Sequence, residues 1–134
     1  MKSWEWTDWL LEVWGAIGER HAELGSKDSL ADWEKLIDIL GYSEYCISNA
    51  GDFANMEVIN PNFQSDAVRI ADKLEMQNTV QMFSQSELDL QEHFEDTFNE
   101  VCSEIANHVA HLPESGSVGD VSKSWAEKCS KKSS

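Results

Sequence analysis

From Ser86 to Leu112 the apolar residues Leu90, Phe94, Phe98, Val101, Ile105, Val109 and Leu112 recur at steps of four, four, three, four, four and three. That is the period of an α-helix with one buried face. Asp89, Glu92, Asp96 and Glu100 fall at helical steps on the opposite side. One segment is therefore expected to supply part of a core and a row of carboxylates. Trp4 to Leu24 carries a second stripe of Trp6, Leu10, Val13, Ile17 and Leu24, widened by Trp9 and Trp14. At roughly 100° per residue, Glu5, Asp8, Glu12, Glu19 and Glu23 project together away from that stripe.

The intervening chain reads as shorter elements. Gly25 is placed to end the first helix, and Ser29 to cap a second one in which Leu30, Trp33, Leu36, Ile37 and Leu40 form the buried side before Gly41 terminates it. The short turn predicts that the two pack antiparallel. Two readings stay open for residues 42–60. Tyr42, Tyr45 and Ile47, and Phe53 to Ile59, fit either helical turns or a short β-hairpin turning at Asn49-Ala50-Gly51-Asp52. Asn60-Pro61-Asn62 looks like a helix start, followed by Phe63, Ala67, Ile70 and Leu74 on one face and an end near Gln77-Asn78. Thr79 to Phe83 adds an apolar turn, Ser84 and Ser86 cap the long helix, and Pro113 stops it. The expected architecture is mainly α, a small bundle of four to five helices with an optional short hairpin at 42–60. An acidic helical domain over residues 1–113 precedes a Gly/Ser-rich, then Lys-rich tail at 114–134, with a candidate short helix at 124–129.

Composition changes this picture chiefly through charge. The chain of 134 residues has a formal net charge of −15, yet its 41% hydrophobic content with six Trp and five Phe argues for a folded core over disorder. Three cysteines, Cys46, Cys102 and Cys129, are widely spaced and odd in number, which fits a reducing compartment better than a disulfide framework. No apolar run reaches the length of a membrane span or a secretory signal, so a cytoplasmic protein is expected. Between Lys73 and Lys123 there is no Lys or Arg, while that interval holds Glu75, Glu87, Asp89, Glu92, Glu95, Asp96, Glu100, Glu104, Glu114 and Asp120. Solvated helices usually intersperse Lys with Glu, because opposite pairs help slightly and like pairs cost a few tenths of a kcal/mol.

Candidate chemistry is sparse. Glu104, His108 and His111 are spaced four and three apart and share one helical face, a weak candidate for zinc or another imidazole-binding metal. A histidine in the last helical turn is better explained by the helix dipole. Cys102 borders the apolar stripe and reads as a packed small hydrophobe, Cys46 lacks a nucleophile signature, and the glycines near Gly116 and Gly119 carry no phosphate-loop pattern. No enzyme and no cofactor is expected. Trp6, Trp9 and Trp14 are expected in the core, whereas Trp4 and Trp125, near the ends, are candidate exposed anchors.

The carboxylate rows remain. Glu5 to Glu23 presents five charges over about 27 Å of helix, of the same order as the one phosphate per about 3.4 Å of each DNA strand. A small helical protein with unbroken acidic faces resembles the DNA-mimic inhibitors of phages and mobile elements, of the anti-CRISPR and antirestriction type. Ser48-Asn49-Ala50-Gly51-Asp52-Phe53 also resembles a Ser-Asn-Gly-Gly-Phe segment of antirestriction proteins, with Ala for the first Gly and an inserted Asp. The resemblance implies a non-enzymatic inhibitor that binds the basic nucleic-acid-binding surface of a bacterial defence nuclease complex. Its contacts would be Glu5, Asp8, Glu12, Glu19 and Glu23 on one row and Asp89, Glu92, Asp96 and Glu100 on the other. Such a surface repels nucleic acid and anionic membranes. The alternatives are an immunity protein neutralising a nuclease toxin and a metal- or ligand-binding helical domain.

Overall fold

A computed structural model describes the backbone of residues 3–24 and 30–110, and the side chains of these ranges except 3–5, 20, 21, 23, 24 and 110. Six helices make up the described chain: α1 (Ser3–Leu24), α2 (Asp32–Ala50), α3 (Ala54–Ile59), α4 (Phe63–Lys73), α5 (Gln77–Phe83) and α6 (Glu87–Ala110). The mainly α bundle expected from periodicity is present, and the described residues contain no strand. Gly25, Ser29, Pro113 and the whole 114–134 segment, including the candidate helix at 124–129, lie outside the described residues.

The apolar stripe of α1 is buried as its spacing requires, through Trp6, Trp9, Leu10, Val13 and Ile17. Thr7 lies near Ile47 and Ser48 at the far end of α2, while Trp14 donates its indole N–H to Asp38 Oδ1 at 3.0 Å, so the two helices run antiparallel. Between them Gly41 does the opposite of what its type suggests. The helix passes through it, and a Cβ there would come within 2.5 Å of Trp14 Cδ2. Gly41 is the small residue that lets the Trp14 ring lie against the α2 backbone.

Continuation of α2 to Ala50 replaces the optional hairpin. Leu40, Ser43 and Cys46 are buried at helical steps, which keeps the 3.6-residue period going past Gly41. The buried Ser43 hydroxyl is satisfied within the helix by donating to the Ile39 carbonyl at 2.7 Å. Gly51, at φ +75°, closes the helix in the left-handed region, its N–H reaching the carbonyls of Cys46 and Ile47; here a glycine is used as a C-cap. Asp52 Oδ1 then accepts the Ala54 N–H at 3.1 Å and α3 begins.

An aromatic run ties the later helices to this pair. Ring centroids of Phe63 and Phe53 are 5.2 Å apart, of Phe53 and Phe94 6.2 Å, and of Phe94 and Phe98 5.8 Å. The run links α4, the turn before α3, and α6. All four are buried, each contributing about 1.5–3 kcal/mol by leaving water. Helix α4 ends at Lys73, a turn earlier than expected, because Glu75 adopts φ +59° and the Met76 N–H bonds back to the Ala71 carbonyl at 2.8 Å. The expected apolar turn at 79–83 is helix α5. Gln64 Nε2 donates to the carbonyls of Phe83 and Gln85, fixing the α5–α6 turn against α4.

Helix α6 buries Leu90, Phe94, Phe98, Val101, Ile105 and Val109, the expected face, together with Cys102 and Ala106. Ser86 caps it, its Oγ accepting the Asp89 N–H at 3.2 Å, while Ser84 instead ends α5. His93 has φ −114° and ψ 15°, so the helix is kinked there.

Candidate functional site

The outward face of α6 carries the densest run of charge among the described side chains. Asp89, Glu92, Asp96 and Glu100 are all exposed, opposite the buried Phe94, Phe98 and Ile105, and span about 16 Å at the usual rise. No Lys or Arg occurs in α6. Its outward cation-forming group is His93, whose Nδ1 lies 2.9 Å from Asp96 Oδ2 at the kink. Asp8, Glu12 and Glu19 are likewise exposed on α1. The side chains of Glu5 and Glu23 lie outside those described.

Four further acids belong with these rows and were missed by helical spacing. Glu95 of α6 and Glu44 of α2 line a small cleft of about 90 Å³ together with Thr7 of α1, so carboxylates border the seam where α1, α2 and α6 meet. At the other end of α6, Glu87 shares a hydrogen bond with Glu57 of α3, which raises its carboxyl above the ordinary range. Burial, then the negative charges of Glu57 and Asp52, push it the same way. Acidic character therefore passes from α6 to α3. No sequence signal pairs residues 57 and 87; only the packing of α3 beside the start of α6 does.

The described cations are segregated from this surface. Lys35 is on α2, and Arg69 and Lys73 are on α4. Lys73 Nζ pairs with Asp32 Oδ2 at 2.8 Å, and this hydrogen bond outweighs burial to hold the Asp32 carboxyl below its ordinary range. Arg69 Nη2 is 3.7 Å from Asp66. Residues at the ends of α2 and α4 thus neutralise each other, as their helix dipoles favour, while no described Lys or Arg pairs with the outer row of α6, where Asp96 meets His93.

The candidate metal triad is not assembled by the described residues. Glu104 turns toward α5, where its carboxylate accepts the N–H groups of Asn78 and Thr79 at 3.0 and 2.9 Å and the Thr79 hydroxyl at 2.9 Å. It caps a helix whose own N-cap residue, Met76, offers no acceptor. His108 is half-buried with an interaction of its own, and His111 lies outside the described residues. Among those residues no group of three His, Cys, Asp or Glu side chains could hold a metal. Cys46 and Cys102 are buried free thiols. Burial pushes both above the ordinary thiol value, Cys102 well above it with help from the Glu44 charge, which leaves them protonated and weakly nucleophilic at neutral pH. Cys129 lies outside the described residues.

The chain matches no family model, and no curated protein or solved structure is found to be similar to it. The Ser48–Phe53 segment has a structural role here: it closes α2 at Gly51 and delivers the buried Phe53 to the aromatic run. No helix among the described residues is long and apolar enough to cross a membrane.

Proposed function

We propose that the protein is a non-enzymatic binding protein whose acidic outer surface occupies the basic nucleic-acid-binding surface of a partner, a bacterial defence nuclease complex being the class that fits. One observation carries the reading: Asp89, Glu92, Asp96 and Glu100 stand exposed along α6, while the described Lys and Arg side chains are confined to α2 and α4. Successive acids three or four residues apart rise by about 4.5–6 Å, a spacing comparable to the phosphate repeat that a basic channel is built to receive. Asp8, Glu12 and Glu19 of α1 extend the same chemistry. Attraction of this kind speeds encounter and weakens as salt screens it beyond about 8–10 Å.

Affinity capture with the full chain at low and high salt tests the reading, run in parallel with Asp96→Lys/Glu100→Lys and Glu12→Lys/Glu19→Lys. The expected result is a nucleic-acid-binding partner retained at low salt, released at high salt, and lost on reversal of at least one pair. Capture that neither double reversal changes rules out the electrostatic mechanism.

A further inference from the structure

A cleft of about 410 Å³ opens between α2, α3 and α4, away from the acidic row of α6. Its apolar wall is formed by Ile39, Met56, Ile59 and Ile70. Ile59 is 57% exposed, an apolar side chain for which the described fold supplies no cover.

The polar groups on the rim are of two kinds. The carboxylates are already engaged: Asp38 Oδ1 accepts the Trp14 indole N–H at 3.0 Å, and Asp66 accepts the Asn60 amide at 3.3 Å and faces Arg69 at 3.7 Å. The cations retain capacity. Lys35 adds a longer-range attraction to Asp32, but its side-chain ammonium forms no hydrogen bond or ion pair with a described residue. Arg69 has five N–H donors and one long contact, with its side chain 69% exposed. Donors with positive charge thus remain available beside an apolar wall.

We propose that this cleft binds an amphipathic carboxylate, its apolar tail against Ile39, Met56, Ile59 and Ile70 and its head group at Lys35 and Arg69. The volume suits a small ligand of about ten or more heavy atoms. At physiological salt the acidic row of α6 is screened over distances beyond about 8 Å, and the rim carboxylates Asp38 and Asp66 are engaged with Trp14, Asn60 and Arg69, so the two cations supply the donors for the head group. This site is independent of the acidic surface and stands or falls separately from it.

The test is a titration of the full chain with octanoate, octan-1-ol and octylammonium, each below its aggregation threshold, followed by backbone amide NMR shifts. Octanoate is expected to give saturable shifts confined to residues 35–42, 56–60 and 66–70, with at least ten-fold tighter binding than octan-1-ol, and octylammonium to bind weakest. Lys35→Gln/Arg69→Gln is expected to reduce octanoate to the affinity of the alcohol. If that double variant has a lowered thermal midpoint, Lys35→Gln alone carries the comparison and is expected to weaken octanoate while leaving the alcohol unchanged. Equal affinity for octanoate and octan-1-ol, insensitivity to the Lys35 change, shifts outside the cleft, or an absence of saturation each overturns the proposal.

Discussion

Glu100 and Glu104 stand one helical turn apart on α6 and do unlike work. Glu104 leans toward α5 and is held by three donors, whereas Glu100 is exposed in a row with Asp89, Glu92 and Asp96. Carboxylates on one acidic helix thus serve two ends. A carboxylate that meets the orphan N–H groups of a neighbouring helix belongs to folding. A row that meets none, and that raises the repulsion within its own helix, is available for a partner.

The largest effect expected from this contrast is at Glu104. Glu104→Ala should lower stability by about 1–3 kcal/mol, read by urea unfolding, and leave partner capture intact. Glu104→Gln should recover part of the loss, and a destabilisation no larger than that of Glu100→Ala would break the distinction. Glu75 is an acid placed where its backbone would favour glycine, at φ +59°. Glu75→Gly should therefore stabilise by about 0.5–1 kcal/mol, measured by the same unfolding curves. Asp96→Lys/Glu100→Lys should move stability by no more than about 0.5 kcal/mol in either direction, since these side chains are exposed; circular dichroism melts check this.

The smallest effect is at Glu87 and depends on pH. Its carboxyl is raised above 4.5, first through the Glu57 hydrogen bond, so the folded chain holds this proton more tightly than the unfolded chain. The stability it adds is fully present below 4.5 and is lost as pH rises through the raised folded value. Glu87→Gln should raise stability at neutral pH by about 0.3 kcal/mol and flatten this group's contribution to the gain on acidification. An unchanged profile in thermal melts across pH would show that the Glu57–Glu87 pair has no energetic consequence.

Periodicity made the buried faces of α1 and α6 legible, because one buried stripe per helix leaves a regular imprint in Trp6, Leu10 and Val13 or in Phe94, Phe98 and Val101. It failed where one residue type serves two ends. Gly41 and Gly51 look alike in sequence, yet one receives the Trp14 ring inside a helix and the other ends that helix; only the packing partner distinguishes them. Glu104 with His108 and His111 is a weak ligand candidate because local spacing puts them on one face, while the donors that claim Glu104 come from residues 78 and 79, a pairing without a local signature. The acidic row itself was legible in full, since exposure opposite a buried stripe follows from the same period. Its association with Glu57, Glu87, Glu95 and Glu44 required the fold.

The most direct test of the acidic surface is displacement of a captured partner by duplex DNA. If α6 occupies a nucleic-acid-binding surface, duplex DNA should release the partner from the immobilised chain in a concentration-dependent way at constant salt, and Asp96→Lys/Glu100→Lys should bind too weakly to need displacement. A partner that stays bound in saturating DNA while that double variant binds as well as the original chain would contradict the account.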